Sequence, residues 1–236
     1  MLSAEEAIKK FKKFERRANA KRSKQIEQIK ADRKFLSGEQ WSSDDDAYWP
    51  SGRPRRVINV LGNSIASTVN VYATYGYKWY SPDEETDQGL EAFLKFGSNS
   101  RAAYDVLYNE VAFGLGYFAL GSEQVTAADG EVLDVPALYS IDKLENVYFD
   151  PDSIEIDGRD AQECAITEFR SKEWVEAKYG EDWVTPKGER PIVNVTDNAD
   201  PEQMVIVTYY RMENGRCQVY RMLNRDFIDE PVELEI

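Results

Sequence analysis

Five carboxylates fall within the eleven residues 150–160: Asp150, Asp152, Glu155, Asp157 and Asp160. Hard cations take oxygen ligands, so Asp150, Asp152, Asp157 and Asp160 are the candidate metal ligands, and with a metal they would serve a hydrolase. The spacing does not follow a calcium-binding EF-hand loop. Ile154 stands at its fifth position, and Glu155 stands at the sixth, where glycine is required. The alternation Ile154, Glu155, Ile156 would also send neighbouring side chains to opposite faces of a strand. The competing reading is a set of turns in which Asp side chains cap loop amides ahead of a strand, and that reading is preferred.

Other chemistries are excluded by composition. The chain has no histidine, which removes Ser-His-Asp and Cys-His nucleophilic catalysis, two-histidine metalloprotease sites and Cys/His zinc fingers. Cys164 and Cys217 show no CxxC spacing and no disulfide framework. Gly114-Leu115-Gly116 has neither a strand before it nor a helix after it, so it is not a dinucleotide fingerprint, and no Walker A sequence is present. The 43 acids offer many carboxylate pairs, and nothing singles one out. A non-enzyme without metal or cofactor is expected.

Charge is unevenly spread. Residues 1–56 hold 15 Lys/Arg and 9 Asp/Glu, while residues 57–236 hold 14 and 34, which gives a +6 arm on a −20 body. The basic run from Lys9 to Lys24 could track phosphates, but a solvated helix face is the commoner use of such a run. Arg53, Arg55 and Arg56 open a helix, where the macrodipole disfavours cations. They therefore call for acidic partners in the chain or on a neighbouring subunit, or for a phosphate. Trp41 and Trp49, with Tyr72, Tyr75, Tyr77, Trp79 and Tyr80, concentrate aromatics around loops and helix ends. Core packing and an oligomer interface are both open readings for them.

These residues need elements to hold them. Ser3 to Glu6 reads as a capping box opening a helix of about 33 residues, roughly 50 Å long, with Gly38 as its stop. Residues 57–72 repeat apolar side chains at helical spacing, and a short aromatic strand follows at 77–80. Ser81-Pro82-Asp83-Glu84 is a start signal, with Ser81 as N-cap, for a long helix that runs through Gly97 to Phe113 and ends at Gly114. Strands are expected at 117–120, 132–141, 146–149 and 164–169, then a short helix from Lys172 to Tyr179 between Ser171 and Gly180. Last come strands 204–212 and 217–223 around Asn214-Gly215, the dipeptide that favours a type I′ hairpin. The class is α+β: long helices first, then a mainly antiparallel β region with one inserted helix. The acidic N-terminus is unlike a signal peptide. The longest apolar run, 111–120, is broken by two glycines and falls short of the ~20 residues of a membrane span, so a soluble protein is expected.

Several segments, taken in order, resemble the N-terminal wing region of bacteriophage portal proteins, the head-to-tail connectors of short-tailed phages. They are the charged helix running into Asp32-Arg33-Lys34-Phe35-Leu36-Ser37-Gly38-Glu39-Gln40-Trp41, and Arg53-Pro54-Arg55-Arg56-Val57-Ile58-Asn59 entering the next helix. Phe113-Gly114-Leu115-Gly116-Tyr117 follows, then Val147-Tyr148-Phe149-Asp150-Pro151 with Asp157-Gly158-Arg159-Asp160-Ala161. Their order and spacing across 30–170 carries the likeness. The last hairpin is similar to the small β-barrel part of that wing.

The resemblance implies a basic helical arm and loop at 1–56, the helical part of the wing at 57–115 and its β-rich part at 116–236, with stem, clip and crown absent from the chain. It also implies a structural role in a homo-oligomeric ring, usually of twelve subunits, at one capsid vertex through which DNA is packaged and ejected. Terminase large subunit, capsid protein and tail adaptor would be its partners and double-stranded DNA a transient one, with no membrane. The location would be the virion, assembled in the bacterial host cytoplasm. Under this reading Arg53, Arg55, Arg56, Trp41 and Trp49 are candidates for the oligomer interface or a phosphate contact. A metal-dependent hydrolase using 150–160 and a nucleic-acid-binding module using the basic arm stand as alternatives.

Overall fold

In a computed structural model, the described residues are 1–41, 57, 59–75, 83, 86, 88–89, 93, 99–126, 130–155, 158–184, 203–223 and 226–235. They form two compact units. One, here the sheet unit, combines residues 1–24 with 145–236; the other, the helical unit, is residues 25–144.

Helix α1, Ala4–Leu36, contributes to both. The capping box forms as expected: Ser3 N–H donates to Glu6 Oε2 at 3.1 Å, and Glu6 N–H donates back to Ser3 Oγ at 3.4 Å. The Ser3 amide and the Ser3 hydroxyl, both donating to it, hold the Glu6 carboxyl below its ordinary range. At the other end Gly38 takes φ 98°, Glu39 N–H reaches Lys34 O and Gly38 N–H reaches Phe35 O, a Schellman stop.

In the sheet unit, strands β3 (Val147–Phe149), β4 (Glu163–Ser171), β5 (Gln203–Glu213) and β6 (Arg216–Leu223) run antiparallel in chain order. Asn214 at φ 53° and Gly215 at φ 77° make the tight turn that the sequence asks for. The far side of β6 is shared by two short strands, β7 (Asp226–Phe227) at one end and β8 (Val232–Glu235) at the other. The expected small barrel is not what forms: among the described residues the sheet stays open, with β3 at one edge and β7 and β8 at the other. A barrel buries its inner face by closure; here helices cover the faces instead.

Ala7, Phe11, Phe14 and Ala18 recur at helical spacing and bury one stripe of α1 against Ala165, Val205, Val207, Tyr209, Tyr220 and Met222. The aromatic rings interlock. Phe11 and Phe14 lie 5.7 and 5.8 Å from Tyr209, which is 6.2 Å from Tyr220, and Phe227 stacks on Tyr220 at 5.7 Å. Each fully buried Phe contributes roughly 1.5–3 kcal/mol. On the opposite face Val175 of α4, Lys172–Tyr179, packs with Met204, Ile206 and Leu223. Ser171 Oγ caps α4 by accepting Trp174 N–H, and Gly180 at φ 100° ends it.

In the helical unit, α2 (Val60–Tyr75) packs on α3 (Asn99–Phe113) through Ile65 and Val69. A nine-pair hairpin, β1 (Phe118–Thr126) with β2 (Val132–Ser140), packs on α3 through Ala137 and Leu138. Asn59 caps α2 by accepting Gly62 N–H at 2.9 Å, while its amide donates to Leu36 O, fixing the end of α1 to the start of α2. In the next segment Asp83 makes a local capping bond. Its carboxylate accepts Thr86 N–H at 2.9 Å, while Ser81 lies outside the described residues. The expected strand 77–80 and the Gly97 crossing also lie outside them. Gly114, at φ 73°, ends α3 with its N–H on Glu110 O. Gly116 then presses on α3 so closely that a Cβ there would stand 2.5 Å from Val106 O.

Candidate functional site

The chemistry-bearing residues of the sheet unit gather where α1 meets the loop 150–160. The buried Asp150 accepts Asp152 N–H at 3.0 Å and Gln162 N–H at 2.8 Å on its two oxygens. Asp160 accepts Ile154 N–H at 2.7 Å, Ser153 Oγ–H at 2.6 Å and Glu155 N–H at 3.3 Å. Those donors, the Ile154 amide first, hold its carboxyl below the usual carboxylate range. Asp152 turns the other way and pairs with Arg17 of α1. The loop also needs Gly158: its φ is 70°, and a Cβ would collide with the Phe149 ring. The preferred reading, Asp side chains capping loop amides, is what the structure shows for Asp150 and Asp160. Asp157 lies outside the described residues. Among the described residues no group of three or more Cys, Asp or Glu is placed to hold a metal ion.

Three cations on the flanks of α1 clamp the helix to this loop and to the sheet. Arg17 reaches Asp152 and, at 3.7 Å, Glu163; Lys21 donates to the Pro151 carbonyl; Arg22 lies 5.0 Å over the Tyr148 ring. Beneath them Glu163 accepts the Tyr209 hydroxyl and lies 3.8 Å from Arg211. Burial, reinforced by that carboxylate, pushes the Tyr209 phenol far up, so it stays a donor at any physiological pH. Burial likewise raises Glu15, which faces the same interface, and pushes the Cys164 thiol up to about 12, with Cys217 adding to the shift. A thiol held that high is a poor nucleophile. Sequence reasoning missed this network, because Arg17 and Asp152 stand 135 residues apart and Tyr209 and Glu163 stand 46 apart. The only visible signal was the basic run itself.

Of the candidate interface residues, Trp41 is described and half-buried; Arg53, Arg55, Arg56 and Trp49 lie outside the described residues. On α2, a helix without a charged residue, Val60 and Leu61 are exposed at the first turn and Val71 and Tyr72 near the last. Ser64 and Thr68 on the same helix turn their hydroxyls onto Val60 O and Ser64 O, at 3.0 and 2.9 Å. No described helix is long and apolar enough to cross a membrane.

Two comparisons bear on this arrangement. The family model described as phage P22-like portal protein matches residues 12–235. A search of curated proteins gave no match.

Proposed function

From its membership of the phage P22-like portal protein family, a structural class of virion protein, we propose that the chain is part of the ring at one capsid vertex through which the phage genome enters and leaves. The observation that carries this reading is the family match over residues 12–235, nearly the whole chain. The α+β order, helices first and an antiparallel sheet after, suits it. The ring would hold about twelve copies, as the resemblance implies. Terminase large subunit, capsid protein and tail adaptor are its proposed neighbours, DNA its transient passenger, and the host cytoplasm the place of assembly.

The physical chemistry supports a passive role. A net charge of −14 repels phosphates, which suits a surface past which DNA must slide without being held. Asp150 and Asp160 serve loop amides, Asp152 serves an arginine, and Cys164 carries a thiol of high pKa, so these described groups are taken up by the fold.

Electron microscopy and mass photometry of the purified chain test the reading. Closed rings with a central opening are expected, at a mass that is a whole multiple of 27.1 kDa. A protein that stays monomeric at every concentration and salt overturns it.

A further inference from the structure

The helix α1 carries two kinds of cation. Arg17, Lys21 and Arg22 stand beside its buried stripe and are used by the sheet unit's own fold. Lys9, Lys12, Lys13 and Arg16 are different. At about 100° per residue they lie on the side of the helix opposite Ala7, Phe11, Phe14 and Ala18. All four are exposed, and among the described residues none makes an ion pair or a side-chain hydrogen bond.

A shortage of acids is not the reason. Residues 145–236 hold 22 Asp/Glu against 10 Lys/Arg, and the helix simply points these four cations away from them. The spacings 9/12, 9/13, 12/16 and 13/16 also set like charges against one another along the helix, which is unfavourable in the isolated chain and is offset only in part by Glu15 beside Lys12 and Arg16. A negative surface from outside would remove that repulsion.

We infer that this outward face of α1 is one half of a contact between neighbouring copies of the chain, and that the acidic edge at residues 226–235 of the next copy is the other half. The inference rests on the ring reading above. Residues 226–235 contain five acids and no Lys or Arg. They form β7 and β8, which pair only with β6 and so leave a free sheet edge among the described residues. Asp226 and Glu230 are exposed there. Asp229 and Glu233 already pair with Arg221 and Arg216. Stripe and edge are unlike patches of one unit. A contact between unlike patches is heterologous, runs head to tail and closes into a ring when its rotation allows, whereas a self-matching patch gives only a dimer. Opposite charge also sets the register of such a contact. The −20 carried by residues 57–236 favours this occupant over nucleic acid, since that part of the chain would repel a polyanion.

A charge swap in the full chain tests this. Three proteins are compared with wild type by mass photometry at low and moderate salt: K9E/K12E/K13E/R16E, D226K/E230K, and the two sets combined. Each set alone is expected to lower the assembled fraction about tenfold, the combination to restore most of it, and wild-type assembly to weaken as salt rises. A four-site Lys/Arg→Gln variant, which relieves repulsion within the helix, guards against misfolding; it should keep the wild-type circular dichroism and melting curve yet assemble poorly. Wild-type assembly by either reversed set, or no recovery in the combination, overturns the inference while leaving the ring intact. So does loss of binding to a short DNA duplex with assembly unchanged, which would assign the stripe to nucleic acid. A wild-type chain that never assembles defeats the ring reading itself.

Discussion

The sheet unit and the helical unit solve burial in opposite ways. The sheet unit closes its core with large aromatic side chains brought from distant parts of the chain: Phe11, Phe14, Tyr209 and Tyr220 are all at or below 1% exposed. The helical unit packs aliphatic side chains, Ile29, Ile65, Val69, Val106, Leu138 and Leu144 with three alanines, and buries the Asn99 amide. Among the described residues, twelve of the sixteen exposed large hydrophobics lie in the helical unit, so the sheet unit is the one whose apolar demand is met. Aromatic area anchors one unit, while backbone satisfaction by a single side chain organises the other.

Phe11→Ala should separate the two units most strongly. Removing a fully buried ring from a close-packed core costs about 3–5 kcal/mol. Hydrogen exchange should show β4, β5 and β6 losing protection while α2, α3 and the β1–β2 hairpin keep theirs. Equal loss in both units would mean that they share one core.

Asn99→Leu probes the other side. The Asn99 amide donates to Phe93 O and accepts Leu138 N–H, each at 2.7 Å, so an isosteric apolar replacement leaves both backbone groups buried and unmet. The expected cost is about 1–3 kcal/mol, with faster exchange at the Leu138 amide. A neutral outcome in urea unfolding would show that the helical unit is held by apolar packing after all.

The smallest effect is expected at Glu15→Gln, and it should be stabilising. Burial raises the Glu15 carboxyl, with Lys12 and Arg16 only partly offsetting the shift and Tyr148 nearby. A carboxyl whose folded-state pKa lies above its unfolded value favours the fold when protonated, and loses that contribution as pH rises through the folded pKa. The Gln variant should therefore melt higher than wild type at pH 7, and the gap should shrink to nothing below about pH 4, where wild-type Glu15 is protonated in both states. A gap independent of pH would remove desolvation as its cause.

Much of the fold was legible locally. The capping box at Ser3 and Glu6, the stop at Gly38, the helix between Ser171 and Gly180 and the turn at Asn214-Gly215 all form where the residues ask, because caps and tight turns are decided within four or five residues. Asp150 and Asp160 were legible as loop caps for the same reason. The ordered wing-like segments were enough to suggest the family to which the chain belongs. Other features were not legible. Asn59 could be marked as entering a helix, but not as the residue that also holds the last carbonyl of α1, 23 positions away. Nor could the sheet be recognised as open, because closure depends on what covers its faces.

The amino-acid sequence by itself therefore determined α1, α4, the strands β2 to β6, the ends marked by caps and tight turns, the charge split and the absence of histidine chemistry, all properties of neighbouring residues or of composition. The short strands β7 and β8 and the full length of β1 were not legible in it. Only the tertiary structure decided that residues 1–24 belong with 145–236, that Arg17 serves Asp152 and Glu163 while Lys9, Lys12, Lys13 and Arg16 face outward, and that Tyr209 sits at the centre of the core. The physical reason is loop closure. A contact spanning more than a hundred residues carries no local signature, and which of many possible partners wins is settled by how whole faces fit.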